Sequence, residues 1–270
     1  MTRQYCHVGS RTIAYLDSAP GARDLRAVVL LHAFPLGASM WEPQLRSVPK
    51  GWRLITPDLR GFGGSTSDNG TPTMDDYAVD VMGLLGELGV GRAVVGGCSM
   101  GGYATFALLK RAPDLAIGVV LSDTRMGADS PEGRANRRSM LALVDREGPS
   151  GIARDMMPKL IGETTRVADP TVESTIRRFI KQQSPDGIRT AIQRMMDRVD
   201  ATPVVSAVRV PTLVIVGEED QLTPVEESRR LAEAIPGARL EIIPQAGHLP
   251  NLEQPERFNV VLTRFLEDLP

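Results

Sequence analysis

Histidine is scarce in this chain: His7, His32 and His248 are the only three among 270 residues. Any mechanism that needs an imidazole must choose among them. Cysteine is scarcer still. Cys6 and Cys98 alone exclude a disulfide framework and a cysteine-rich metal site, and a reducing cytoplasmic setting is the expectation. No apolar run approaches the roughly 18 residues of a membrane span, and the opening Met1-Thr2-Arg3-Gln4-Tyr5-Cys6-His7 lacks the core of a signal peptide, so no membrane partner is expected. An excess of one charge is also missing. Lys and Arg total 31 against 33 Asp and Glu, a net charge of −2, which excludes a generally basic nucleic-acid binder. What the chain does have is 42% apolar residues, enough for a core.

Short apolar runs alternate with helical patterns, which points to βα units and a mostly parallel sheet flanked by helices. Residues 5–10 and 11–17 read as an opening pair of strands. The runs at 27–31, 53–56, 93–97 and 117–121 follow, with helical spacing at 74–88 and 100–111 between them. From about 126 to 205 no comparable strand occurs. Instead there are helical patterns rich in Arg and Met, too long for a plain loop. Alternation resumes at 212–216, with a helix at 225–234, a strand at 239–243 and a final helix at 253–266. The expected organisation is an α/β core of residues 1–125 and 206–270, interrupted by a helical cap at 126–205.

Gly97-Cys98-Ser99-Met100-Gly101 matches G-x-S-x-G and lies between a strand and a helix, the context in which a serine becomes an exposed nucleophile. A serine needs a base. His248, in Gly247-His248-Leu249-Pro250, follows the last strand and reaches the carboxyl edge of the sheet. His7 lies on an opening strand and reads as structural. A base needs a carboxylate to fix its tautomer. Asp220 follows the strand at 212–216, 28 residues before His248. Glu218 and Glu219 are neighbours of solvated type. Asp123, after the strand at 117–121, is the alternative acid; its other roles would be an ion pair with Arg125 or a cap on the insertion. Backbone N–H groups of Phe34 and Met100 are the candidate oxyanion donors. His32 is expected to orient the loop that carries Phe34.

With Ser99 in its turn, His32-Ala33-Phe34-Pro35, Asp58-Leu59-Arg60-Gly61-Phe62-Gly63-Gly64-Ser65, Asp220 before Thr223-Pro224, and Gly247-His248, the sequence resembles the α/β-hydrolase family. The likeness is to its cap-bearing serine hydrolases, bacterial carboxylesterases and 3-oxoadipate enol-lactonase-like enzymes. The resemblance implies an eight-stranded sheet with the second strand antiparallel and a lid built from the insertion. Ala33 departs from the glycine usual in the family. An aspartate after the sixth strand, the place of Asp123, serves as the acid in some relatives.

The resulting expectation is a cytoplasmic serine carboxylesterase cleaving a small, short-chain ester through an acyl-enzyme. The alternatives are lactone or carbon–carbon hydrolysis by the same residues, or a ligand-binding sensor on the same fold. His32, Leu36, Met126, Met156 and Leu222 are the candidate pocket residues, with Phe34 and Met100 beside them. Arg134, Arg137, Arg138, Arg177 and Arg178 read as solvated helix faces; one turned inward would favour an anionic substrate. No histidine–carboxylate spacing suits a metal, so neither metal nor other cofactor is expected. The partner is a small-molecule ester, and the protein is expected to be a monomer or weak homo-oligomer.

Overall fold

Three runs of small and β-branched residues, AVVGGC, AIGVVLS and TLVIVG, are buried along nearly their whole length. Strands without a polar face need cover on both sides, which a parallel sheet between helix layers supplies. The computed structural model, which describes residues 1–67 and 72–270, has this architecture. The strands are β1 (Gln4–Val8), β2 (Arg11–Asp17), β3 (Arg26–Leu31), β4 (Trp52–Pro57), β5 (Ala93–Cys98), β6 (Ala116–Ser122), β7 (Thr212–Gly217) and β8 (Arg239–Ile243). They form one eight-stranded sheet in the order β1-β2-β4-β3-β5-β6-β7-β8. β2 is antiparallel to β1 and β4; every other neighbouring pair is parallel.

The chain steps outward from β3 to β4, then returns to place β5 on the other side of β3. Loops leaving β3 and β5 therefore diverge, and a crevice opens at their carboxyl ends. Three of the helices before the seventh strand belong to the core: α1 (Glu42–Leu45), α2 (Met74–Glu87) and α3 (Met100–Arg111). α2 begins at a capping box, in which Thr73 and Asp76 satisfy each other's backbone amides.

Between β6 and β7 the chain is helical: α4 (Pro131–Leu160), α5 (Glu163–Ala168), α6 (Pro170–Lys181), α7 (Pro185–Asp197) and α8 (Thr202–Val205). α4 is broken at Gly148, whose φ of +60° leaves the helical region just before Pro149. Its two halves pack on α6 and α7. The core closes with α9 (Val225–Ala234), α10 (Pro250–Glu253) and α11 (Pro255–Glu267). Among the described residues no helix is long and apolar enough to cross a membrane.

Candidate active site

β5 ends at Cys98, and Ser99 takes φ +53° and ψ −112° before α3 begins. That conformation costs a non-glycine residue about 1–3 kcal/mol, so surrounding contacts must impose it. The Ser99 amide donates to the Ser122 carbonyl at 2.9 Å, and the Thr124 hydroxyl donates to the Ser99 carbonyl at 2.9 Å. α3 presses against the end of β3. A Cβ on Gly101 would lie 2.1 Å from the Leu31 carbonyl oxygen, so only glycine fits. Met100 opens α3, where first-turn amides have no acceptor within the helix.

His248 is 1% exposed, and its Nδ1 lies 2.8 Å from Asp220 Oδ2. A carboxylate accepts, so Nδ1 carries the proton and Nε2 is left as the acceptor. Asp220 is held before the imidazole adds anything. Its Oδ1 accepts the amides of Leu222 at 2.8 Å and Thr223 at 3.1 Å, and Oδ2 accepts the Thr223 hydroxyl at 2.6 Å. Burial pushes the Asp220 carboxyl up, but His248 and Thr223 outweigh it and hold the group below the ordinary carboxylate range.

Asp123 lies beside this pair. It is wholly buried, with φ +47°, and among the described residues it makes no ion pair with Arg125 and no hydrogen bond to the insertion. Its Oδ1 accepts the Gly217 amide at 2.9 Å, and Oδ2 lies 2.5 Å from Ser122 Oγ. Burial first, and the Asp220 charge second, push it well above the ordinary range. Ligand-type atoms of Asp123, Asp220 and His248 all fall within 4.8 Å of one another. The sequence names all three as alternative acid, acid and base because each follows a strand, but does not show that their polar atoms lie this close together. Glu218 and Glu219 lie apart from the imidazole: Glu219 bonds Thr164 of the insertion, and Glu218 accepts the Gln245 amide. Cys98 is buried and lies 3.6 Å from the His248 carbonyl; burial, then Asp123, pushes its thiol well up. A thiol so held is protonated and unreactive.

His32 is a buried organiser of the loop after β3. Its Nε2 accepts the Leu59 amide at 3.0 Å, which leaves Nδ1–H to donate to the Ala33 carbonyl at 3.0 Å. Asp58 holds the same loop from the other side by accepting the Ala38 amide at 2.8 Å. Phe34, Ser99 and His248 all line one cavity of about 510 Å³ between core and insertion. Met156 and Leu222 line it as well, but His32, Leu36 and Met126 do not. His32 and Leu36 are fully buried, turned into the core under the loop, and Met126 packs against core side chains. Met100 is likewise buried below the wall. His7 is exposed on β1, with Nδ1 3.2 Å from the Thr12 hydroxyl.

The cavity wall carries more charge than the sequence suggests. Arg125, Arg137 and Arg198 all reach the single carboxylate of Asp129, at 3.1, 3.1 and 2.7 Å. Arg137 thus faces inward, and Arg125 pairs with Asp129. Lys159, Glu132 and Asp155 also lie on the wall.

One buried acid has no local sequence signal. Glu253 Oε2 accepts the amides of Gly162 at 2.8 Å and Gly247 at 2.9 Å, while Oε1 accepts that of Leu249 at 3.1 Å. It therefore grips the chain on both sides of His248 and ties it to the insertion. The contact is tight: a Cβ on Gly247 would lie 2.3 Å from the Gly162 nitrogen. Read as the first residue of a final helix at 253–266, it would have flagged only a cap; it is instead the last residue of α10.

A sheet of this order, with a serine on a strained turn and a histidine–aspartate pair at its carboxyl edge, defines an α/β hydrolase. The model of the alpha/beta hydrolase family matches residues 28–261, and the chain belongs to that family of hydrolases. Among solved structures it is similar to a thermophilic esterase from Thermogutta terrifontis with malate bound, at 39% identity and TM-score 0.93, covering 100% of this chain and 99% of that one. It is also similar to the enol-lactonase from Burkholderia xenovorans LB400, at 29% identity and TM-score 0.89, covering 98% and 100%. A putative carbamate hydrolase RutD from Caulobacter sp. (strain K31) is 31% identical over 254 residues, 91% of this chain and 92% of the relative.

Proposed function

We propose that the protein is a serine carboxylesterase acting on small esters. The observation that carries this reading is that Ser99 and His248 share the wall of one cavity while Asp220 holds His248 Nδ1 at 2.8 Å. In this reading the Ser99 hydroxyl attacks the ester carbonyl as His248 Nε2 takes its proton. Asp220 stabilises the imidazolium that forms. The amides of Phe34 and Met100 bind the oxyanion, where one such donor is typically worth about 2.7–4 kcal/mol. Collapse expels the alcohol, protonated by His248, and leaves an acyl-enzyme. Water, deprotonated by His248, then releases the acid. The test is turnover of a graded series of chromogenic esters. Ser99→Ala should lose activity by at least about 10³-fold with its thermal unfolding unchanged; full activity in that variant overturns the reading.

A second reading concerns the substrate's charge. Over the whole cavity wall Arg125, Arg137 and Lys159 are matched by Asp129, Glu132 and Asp155, but at one corner Arg125 and Arg137, backed by the buried Arg198, share the single carboxylate of Asp129 and leave a local excess of positive charge. Arginine binds carboxylates bidentately, so an ester or lactone that itself carries a carboxylate suits this cavity. In that case kcat/KM for a carboxylate-bearing ester exceeds that of its neutral analogue, and Arg137→Ala erases the preference. Equal rates for both esters would leave the neutral-ester reading alone.

A further inference from the structure

The second buried carboxyl beside His248 has a role distinct from that of Asp220. Asp220 has four donors: two backbone amides, the Thr223 hydroxyl and His248 Nδ1–H. Asp123 has the Gly217 amide and Ser122, and nothing cationic: among the described residues no lysine or arginine pairs with either carboxyl. The groups that face Asp123 come from every neighbouring strand end. They are the Cys98 thiol at the end of β5, the Asp220 carboxylate after β7 and the His248 ring after β8; Glu253, the next carboxyl out, acts on Cys98. A charge on Asp123 would meet only neutral or negative neighbours, in a site closed to bulk solvent. Two carboxylates this close in a dry site do not both ionise.

We propose that Asp123 is a positioning residue that keeps a proton in the resting protein, so that it and Asp220 together present one negative charge to His248. Both Asp123 oxygens accept, Oδ1 from the Gly217 amide and Oδ2 from the Ser122 hydroxyl at 2.5 Å, and the neighbouring Asp220 carboxylate is the acceptor for the proton. The strained φ of +47° at Asp123 aims the side chain into this position. The consequence for catalysis is a matter of charge. A second ionised carboxyl within 4.8 Å would put two negative charges on the imidazole at rest; a protonated Asp123 leaves that task to Asp220 alone. Asp123 thus works through Asp220 and His248 and touches no substrate.

The assignment rests on reading Asp220 and His248 as the working pair, but its main test needs no turnover. Carbon-13 NMR of the protein labelled at aspartate carboxyls should show one protonated carboxyl at neutral pH in the parent, absent from Asp123→Asn. If that variant does not accumulate, Ser122→Ala makes the assignment, by shifting that resonance and no other. Asparagine is the neutral isostere, so Asp123→Asn should leave the acidic limb of the pH–rate profile in place, whatever it does to kcat/KM. Two results would overturn the proposal. One is a parent with no protonated aspartyl carboxyl at neutral pH. The other is an acidic limb in Asp123→Asn moved down by on the order of two pH units, the size expected when a charge about 4.8 Å away is removed at an effective dielectric near 20. A protonated carboxyl in a protein that cleaves no ester would leave this assignment standing and sink the hydrolase reading instead.

Discussion

Replacing Glu253 by alanine tests how the loop that carries His248 is held. The substitution leaves three buried amides, of Gly162, Gly247 and Leu249, without their acceptor. An unsatisfied buried donor costs about 1–3 kcal/mol, and more when the lost acceptor was charged. Two effects oppose this. Burial raises the Glu253 carboxyl above the ordinary glutamate range despite its three amide donors, so removing the charge recovers part of its desolvation. The space left is polar on one side and can admit water. The net expectation is a loss of about 2–4 kcal/mol, or about 4–15 °C in Tm for a chain of this size. Glu253→Gln separates the terms. One amide oxygen can still hold two N–H groups, while the NH2 faces a third donor and the buried charge is gone, so its net change should stay within about 1 kcal/mol. Both variants loosen the chain on either side of His248, so kcat for a chromogenic ester should fall more than KM rises. The assays are thermal unfolding followed by circular dichroism and steady-state kinetics. An alanine variant that melts within about 2 °C of the parent and keeps its kcat would refute the reasoning.

Two further predictions concern pH. Burial, opposed by the Ala33 carbonyl and Asp58, lowers the pKa of His32. The unfolded chain therefore binds this proton near pH 6.5 while the folded chain resists it, and stability falls as pH drops below about 6.5. Urea midpoints of the parent should decline across that window, and His32→Gln, though less stable throughout, should show a shallower decline; parallel slopes would contradict the assignment. Asp129 is lowered too, and its contribution is likewise lost toward acid, but in a lower window. Burial raises it, but Arg137 and Arg198 outweigh burial and hold it below the ordinary range. Its contribution is complete above the unfolded carboxylate value near 3.9 and is lost as pH falls through the depressed folded one. Asp129→Asn leaves three arginines facing one another, so amide exchange across residues 126–205 should quicken by roughly tenfold or more at neutral pH; exchange that stays the same would show the cluster to be ornamental.

The parts of the site that read out of the sequence are those with local causes. A serine between glycines, at a strand-to-helix junction, announces a sharp turn because the steric demand falls on adjacent positions. The β/α alternation likewise announces the sheet, since each strand's two-sided burial is written in its own residues. What did not read out depends on distant partners. Arg137 sits on a charged helix and looks solvated until Asp129 turns it inward. Leu36 and His32 leave the same sheet edge as Phe34, yet only Phe34 faces the cavity. Direction within an irregular loop is set by hydrogen bonds such as that from Leu59 to His32, which no periodicity encodes. Glu253 is the extreme case, because its role lies in amides 91, 6 and 4 residues away.

The close contact of Gly162 with Gly247 constrains how this molecule can change over generations. A side chain at either position would strike the other's backbone: a Cβ on Gly162 would lie 2.9 Å from the Gly247 nitrogen. The insertion touches the core tightly elsewhere too, as at Gly187 against Gly61, but at this point it is soldered to the segment that carries His248. A lid transplanted from another lineage must bring a glycine to that seam, or it will move the histidine it was meant to serve.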